Sequence, residues 1–422
     1  MRLLTRLCRA LVAALLLNII LLSAAQVTFA QAQPGELIIS EVRWRGPRGI
    51  LDEFVEVYNA SGRAINVATA DGSPGYALVA SDGVARCVIP NGTVIPNRGH
   101  FLCVNNTPDV GYSLASYPAG HGTTATGDAF FVLDLPEPDP DGAGPSPPYQ
   151  AGVALFRTTL PLNFTLANRL DAVGSRGEPN PLYREGAGLP NLIGRSINYS
   201  WYRNLSSGRP QDTGDNAADF VFVSPDGEDA GAGRQLGAPG PENLSSPRMT
   251  ELADTPVELF SPCMDRSLAP NRERYTDPYV DTLTPTTTYD SGTLTVRRRL
   301  INNTGGPITR LRFRVITLTT FPTTTTADLR LLTSPDAVVG DPCTAGFNVV
   351  RGLKLEQAAI TQPNGGALNS TVSVDAVTLA DPLPATDDPA TPERENVVDV
   401  QFVLGVVAGG TFRFFIVIEA LP

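Results

Sequence analysis

The sequence predicts an all-β protein, with one β-sandwich over residues 35–246 followed by a second β-sandwich over residues 257–422, and three observations carry that reading. Short runs rich in Val, Ile, Leu, Phe and Tyr (ELIISEVRW, EFVEVYN, HFLCVNN, AFFVLDL, GVALFRT) recur between turn residues. The 39 Gly and 37 Pro separate those runs, and helical periodicity is nearly absent beyond the N-terminal segment. In the second half, Leu294 and Val296, then Leu311, Phe313 and Val315, alternate with period two, the pattern of strands with one buried face.

The chain opens with Arg2, Arg6 and Arg9, followed by an apolar run from Leu11 to Leu22 and small residues before Ala25 and Ala30. This is the pattern of an export signal, so residues 1–30 are set apart from the fold. The apolar run is shorter than the ~20 residues of a spanning helix and contains Asn18. Cleavage, leaving no membrane span, is therefore the expectation rather than an uncleaved anchor. Asp and Glu number 43 against 32 Lys and Arg, a net charge of −11, and cleavage removes three of the arginines. Such a chain repels phosphate backbones, which argues against nucleic-acid binding.

Four cysteines remain after cleavage: Cys87, Cys103, Cys263 and Cys343. An even count in an exported chain favours disulfides over free thiols. Cys87 and Cys103 flank two short apolar runs and the other pair lies in the second half, so Cys87–Cys103 and Cys263–Cys343 are the expected bonds. Closing the first loop is worth about 3 kcal/mol in the chain-entropy treatment. Zinc is disfavoured, because there is no CxxC and only His100 and His121 are available.

Within the first unit, residues 135–150 (LPEPDPDGAGPSPPYQ) are too rich in Pro, Asp and Gly to pair in a sheet and form a surface loop. Residues 224–247 have the same character and close the unit, with a linker over 247–256. In LDEFVEVYNASGRAINV (51–67), Glu53, Val55 and Val57 point to one side and Phe54, Glu56 and Tyr58 to the other. Asn59 and Gly62 then supply a turn, and a compact hairpin is expected. In the second unit INNTGGPIT (301–309) reads as a hairpin loop. It would set Arg297, Arg298 and Arg299 beside Arg310, Arg312 and Arg314 as a positive ladder, solvated edge residues rather than a grip on an anionic polymer.

The order IISEV, DEFVEVYN and a short strand, then TVIPNRGHFLCV, LDAVG, SINYSWYR, DTGDNAADF and GAPGPENL, resembles the lamin tail domain family in its exported bacterial form. The resemblance covers about residues 35–246. It implies an immunoglobulin-like sandwich and a role of the accessory or interaction kind. The chain departs from the family in the longer segment between Cys103 and Leu170 and in the cysteine pair. It lacks the coiled-coil rod and the basic charge of the nuclear members, so nuclear function is not carried over.

No GxSxG elbow occurs, and His121, in a Gly-rich loop near Asp128, has no serine aligned with it. Oxygen ligands for calcium are offered by Glu137, Asp139 and Asp141 and by Asp212 and Asp215, although prolines interrupt the first set and no glutamate closes it. The competing reading of DTGDNAADF is a capped turn with Phe220 anchored in the core. Trp44, Tyr199, Trp201 and Tyr202 are either a sugar platform or core aromatics. Asn204 and Asn302 head Asn-x-Ser/Thr triplets. The function expected is that of an exported, non-enzymatic envelope or extracellular binding module whose partner is a polymer or a protein. The alternatives are an extracellular hydrolase or accessory carbohydrate-binding protein, and a self-associating surface protein.

Overall fold

The computed structural model describes residues 31–120, 123–136, 151–192, 197–205, 207–259, 283–284, 292–322, 327–340, 347–356, 365–387 and 395–422. Strands dominate, as β-branched and aromatic runs punctuated by Gly and Pro require. The inner sheet of the first sandwich runs in the order β10 (Ala129–Phe131), β7 (His100–Asn105), β2 (Phe54–Asn59), β1 (Leu37–Arg43), β13 (Ser200–Arg203) and β14 (Phe220–Val223). Its outer sheet is β12 (Arg169–Gly174), β11 (Gly152–Phe156), β4 (Gly75–Ala80) and β5 (Ala85–Pro90). Leu37, Ile39, Val55, Val57, Phe101, Trp201 and Phe222 from the inner sheet meet Tyr76, Leu78, Ile89, Val153, Leu155 and Val173 from the outer one in a single core. A disulfide joins Cys87 on β5 to Cys103 on β7, with Cα atoms 6.3 Å apart, and so ties the two sheets together. Cys263 and Cys343 lie outside the described residues.

The second sandwich repeats the plan. One sheet is β15 (Arg248–Met249), β26 (Phe414–Leu421), β19 (Arg310–Leu318), β24 (Thr371–Ser373) and β23 (Lys354–Leu355). The other is β16 (Val257–Leu259), β18 (Thr293–Ile301), β25 (Val397–Ala408) and β20 (Asp328–Leu332), with β17 (Leu283–Thr284) also on β18. Leu311, Phe313 and Val315 face Leu300, Val400, Phe402 and Leu404 in the second core. Small two-stranded pairs complete the set: β3 (Ile65–Asn66) with β6 (Val94–Ile95), β8 (Pro118–Gly120) with β9 (Thr123–Thr124), and β21 (Ala337–Gly340) with β22 (Phe347–Val350). The expected linker over 247–256 contributes β15 to the second sandwich's sheet, and residues 32–422 make one compact unit. No helix among the described residues is long and apolar enough to cross a membrane.

The two sandwiches stack face to face. Ile38, Tyr58, Tyr202 and Val223 on the outward side of the first inner sheet pack on Met249, Ile316 and Val417 of the second. A register shift between Ile39 and Glu41 on β1, where it pairs with β2, is a bulge that changes where the next side chains aim. Ile39 and Val42 both reach the first core, whereas Ser40 and Glu41 line the junction.

Both expected hairpins are absent, for one reason. β3 pairs with β6 rather than β2, and β18 and β19 belong to different sheets. In each case the turn carries the chain from one sheet of a sandwich toward the other, and an asparagine holds the corner. Asn59 Nδ2 donates to the carbonyls of Arg63, Ile95 and Pro96 at 2.8, 2.9 and 2.9 Å, while Oδ1 accepts from Ser61. Asn302 Nδ2 donates to Gly306, Leu383 and Pro384 at 3.0, 2.9 and 2.9 Å, while Oδ1 accepts from Thr304. Gly62 and Gly305, at φ 78 and 81, occupy the left-handed position of the turn that a Cβ would strain. The Asn302 amide is thus consumed inside the fold and fully buried, which removes it as a glycan acceptor in the folded state. Replacing Asn59 or Asn302 by alanine strands several carbonyls, and each change is expected to lower unfolding free energy by about 1–3 kcal/mol in urea titrations. An unchanged midpoint for both variants would remove the corner from the list of structural determinants.

Candidate functional site

The richest concentration of ionisable groups lies where the two inner sheets face each other. Alternation on β19 sends Leu311, Phe313 and Val315 into the second core and Arg312 and Arg314 out of it, toward the first sandwich. The same alternation on β2 turns Glu56 away from Val55 and Val57, and on β7 it turns His100 away from Phe101. Glu242 arrives on the closing segment GAPGPENL, threaded between the sheets. Glu41 Oε1 accepts from the Gly240 N–H at 3.0 Å and Glu56 Oε2 from the Glu242 N–H at 2.6 Å, so backbone bonds seat that segment.

The side chains form one network. Arg312 donates to Glu242 and Glu419, and its other terminal nitrogen lies 3.8 Å from Glu356. Arg314 Nη2 lies 2.8 Å from Glu242 Oε2, Nε donates to Glu419 Oε1 at 2.7 Å, and Nη1 donates to Asn369 Oδ1 at 2.6 Å. His100 sits between two acids, Nδ1 3.0 Å from Glu56 Oε1 and Nε2 3.2 Å from Glu242 Oε2. Each ring nitrogen of His100 thus faces a carboxylate oxygen of a different acid. Arg312 and Arg314 are 1% and 3% exposed, where the sequence reading had placed solvated edge residues. The reason is that β19 lies between β26 and β24 and its outer face is covered by the first sandwich. Arg299, on the other sheet, makes a two-pronged bond to Asp399 at 2.8 Å, so no arginine ladder forms.

Carboxylates outnumber cations here, and the excess falls on Glu41. Burial first, and the neighbouring Glu56 second, push its carboxyl up to about 7. Glu419 goes the other way: burial alone would raise it, but Arg312 and Arg314 hold it below the usual carboxylate range. The cavity bounded by Glu41, Glu56, His100, Glu242 and Arg314 has a volume of about 20 Å³, room for a single water-sized group.

A second polar cluster surrounds Arg203 at the edge of the first core. Arg203 donates to Asp171 at 2.6 Å and lies 3.4 Å from both Asp212 and Asp219. Of the residues considered for calcium, Asp212 therefore stands with Asp171 and Glu185, ligand atoms within 4.8 Å of one another. Asp215 does not join them. It accepts from the N–H of Ala217 as cap of the four-residue helix α1 (Asn216–Asp219), and from the N–H of Ala187. Phe220 follows into the first core. Glu137, Asp139 and Asp141, and His121, lie outside the described residues.

Two triads, Glu56–His100–Glu242 and Asp171–Glu185–Asp212, have donor atoms close enough together to hold a cation. In each, the positive charge is supplied within the chain, by Arg312 and Arg314 in the first and Arg203 in the second. Burial, with Asp171 adding to it, also pushes Glu185 up to about 8, so a proton shares that task. Trp44, Tyr199 and Trp201 are buried in the first core and Tyr202 in the junction, which makes them packing aromatics and not a platform. Comparison of the chain with protein-family models, curated proteins and solved structures finds no match.

A raised carboxyl means that the folded state binds the proton more tightly than the unfolded chain does. The stability that Glu41 contributes is then lost as pH rises from about 4.5 to about 7, and its share is constant above. Glu41→Gln keeps a carbonyl acceptor for the Gly240 N–H and removes the titration. The variant is expected to melt above the wild type at about pH 8 and to converge with it below about pH 4.5, as scanning calorimetry across pH would show. Parallel curves for the two proteins would assign the pH dependence elsewhere.

Proposed function

We infer that this is an exported, non-enzymatic binding or adhesion module of the lamin-tail type, an immunoglobulin-like sandwich to which a second sandwich is rigidly fixed, acting in the cell envelope or outside the cell. The observation that carries the reading is the junction network. Its His100, arginines and glutamates are bonded to one another between two sheets, around a space for one water, an arrangement suited to locking two bodies together rather than to turning over a substrate. Three features support the setting: the signal-like N-terminal segment, the disulfide between the sheets of the first sandwich, and the net negative charge.

The test is co-sedimentation of the purified, oxidised mature chain with envelope isolated from the producing cells. Saturable pelleting is the expected result. A protein that stays in the supernatant at every concentration, and that hydrolyses a polymer in a substrate panel, would overturn the reading.

A further inference from the structure

Beside the junction network, and sharing Pro210 with the small cavity there, a cleft of about 370 Å³ opens along the seam between the two sandwiches. That volume falls within the range of small-molecule sites. Its walls carry Tyr58, Asn97 and Arg98 from the first sandwich, Arg209 from the segment after β13, and Glu251 and Asp254 from the segment after β15. The guanidinium groups of Arg98 and Arg209 converge on one oxygen, Oε1 of Glu251. The cleft therefore already holds a carboxylate by the means a receptor would use, and that carboxylate belongs to a half-exposed side chain. The Arg209–Glu251 pair is exposed on both sides, and such pairs contribute about 0–1 kcal/mol, so an incoming carboxylate can take the place of Glu251 on Arg209 at little cost.

Two further observations point to a ligand. Arg98 stands at φ 59, in the third position of the turn from Pro96 to Gly99, where glycine is the unstrained residue. The strain is tolerated where it aims a guanidinium across the seam, with Nη1 donating to the Met249 carbonyl at 3.3 Å. Asn97, next to it, has its Oδ1 shut off from solvent without a hydrogen-bond partner among the described residues. Burial pushes the Tyr58 phenol up to about 12, so its hydroxyl stays a donor at any ordinary pH. Two carboxylate-binding arginines beside a phenol, an amide and the Asp254 carboxylate suit a ring that bears hydroxyls and one acid group.

We propose that the seam cleft binds an acidic saccharide, a hexuronic acid residue of a polysaccharide, with its carboxylate taken by Arg98 and Arg209 in place of Glu251. The proposal deepens the binding-module reading and rests on it only for the cellular setting. Binding by purified protein without envelope pelleting would sink the setting and keep the cleft, whereas pelleting without sugar binding would do the reverse.

The experiment is isothermal titration of the full mature chain with oligogalacturonate at low salt, with a neutral glucan oligomer of equal length and an acidic peptide as comparisons. Saturable binding of the uronate is expected, weakened at least about tenfold by Arg98→Ala and by Arg209→Ala, and undiminished or tighter in Glu251→Gln. Arg209 is 64% exposed, so its replacement tests the cleft without threatening the fold. The proposal is overturned by absence of uronate binding in both the wild type and Glu251→Gln, by unchanged affinity in Arg209→Ala, or by equal binding of the neutral oligomer or the peptide.

Discussion

The pairing of Arg312 and Arg314 with Glu419 on the neighbouring strand and with Glu242 on the closing segment of the facing sandwich is the constraint from which the rest of the arrangement follows. A guanidinium taken out of water costs several kcal/mol unless its donors are met, and here that cost is offset by direct carboxylate contacts and by the Asn369 side chain. Arg312 and Arg314 are two residues apart on one strand and turn the same way, so Glu419 meets both from the neighbouring strand while Glu242 meets both from a surface directly opposite. That surface is the closing segment of the first sandwich, laid over Glu41, Glu56 and His100. Apolar contact through Tyr58, Tyr202, Met249 and Val417 supplies non-directional attraction between the sheets. The ion network adds direction, since sliding one sheet past the other by a residue would leave buried charges unpaired. Register between the sandwiches is thus an electrostatic property more than an apolar one.

How much of this the sequence discloses depends on the range of the interaction. Strand content and the two cores follow from local alternation, and the Cys87–Cys103 bond from spacing. The junction does not, because its partners come from segments some 40 to 330 residues apart. One signal was present. LIISEVR and HFLCVN are apolar without clean alternation, the mark of strands covered on both faces, and every residue in both is buried. Arg312 and Arg314 gave the opposite impression, since arginines at alternate positions of a strand ordinarily mean water. Only the position of β19 inside its sheet, a tertiary fact, makes them interior.

The asparagine corners show a similar gap between local and distant information. Asn-x-Ser-Gly at 59–62 and Asn-x-Thr-Gly at 302–305 are alike on inspection, yet no fixed repeat period exists. The carbonyls they hold lie 36 residues ahead in the first sandwich and 81 in the second, because the second sandwich inserts several strands before its chain returns. The equivalence is therefore geometric: the strand before each corner pairs antiparallel with the strand that follows the returning segment, β2 with β7 and β18 with β25. Each Asn side chain bonds its own turn through both Nδ2 and Oδ1 and reaches two carbonyls of the returning segment through Nδ2, so it couples the crossing to the sheet it leaves. Serine or threonine two residues on orients the amide by donating to Oδ1, which explains why the triplet mimics a glycosylation signal while the amide itself is occupied.

The seam cleft inherits its shape from these two devices. Its first-sandwich wall begins at the Asn59 corner, since Arg98 N–H donates to the Asn59 carbonyl and Asn97 follows the Pro96 whose carbonyl that asparagine holds. Its second-sandwich wall follows β15, which exists as a strand only because it pairs with β26, the strand that carries Glu419. Between the two walls, Tyr58 lines the cleft and packs its ring 5.2 Å from that of His100 at the margin of the ion network. A flexible hinge between the sandwiches would vary the separation of Arg98 and Glu251 and dissolve the cleft. A junction locked by buried ion pairs keeps both arginines in place before any ligand arrives, and preorganisation of that kind lowers the ordering cost of binding. Rigidity at the junction and recognition at its edge are, on this argument, two consequences of the same set of charges.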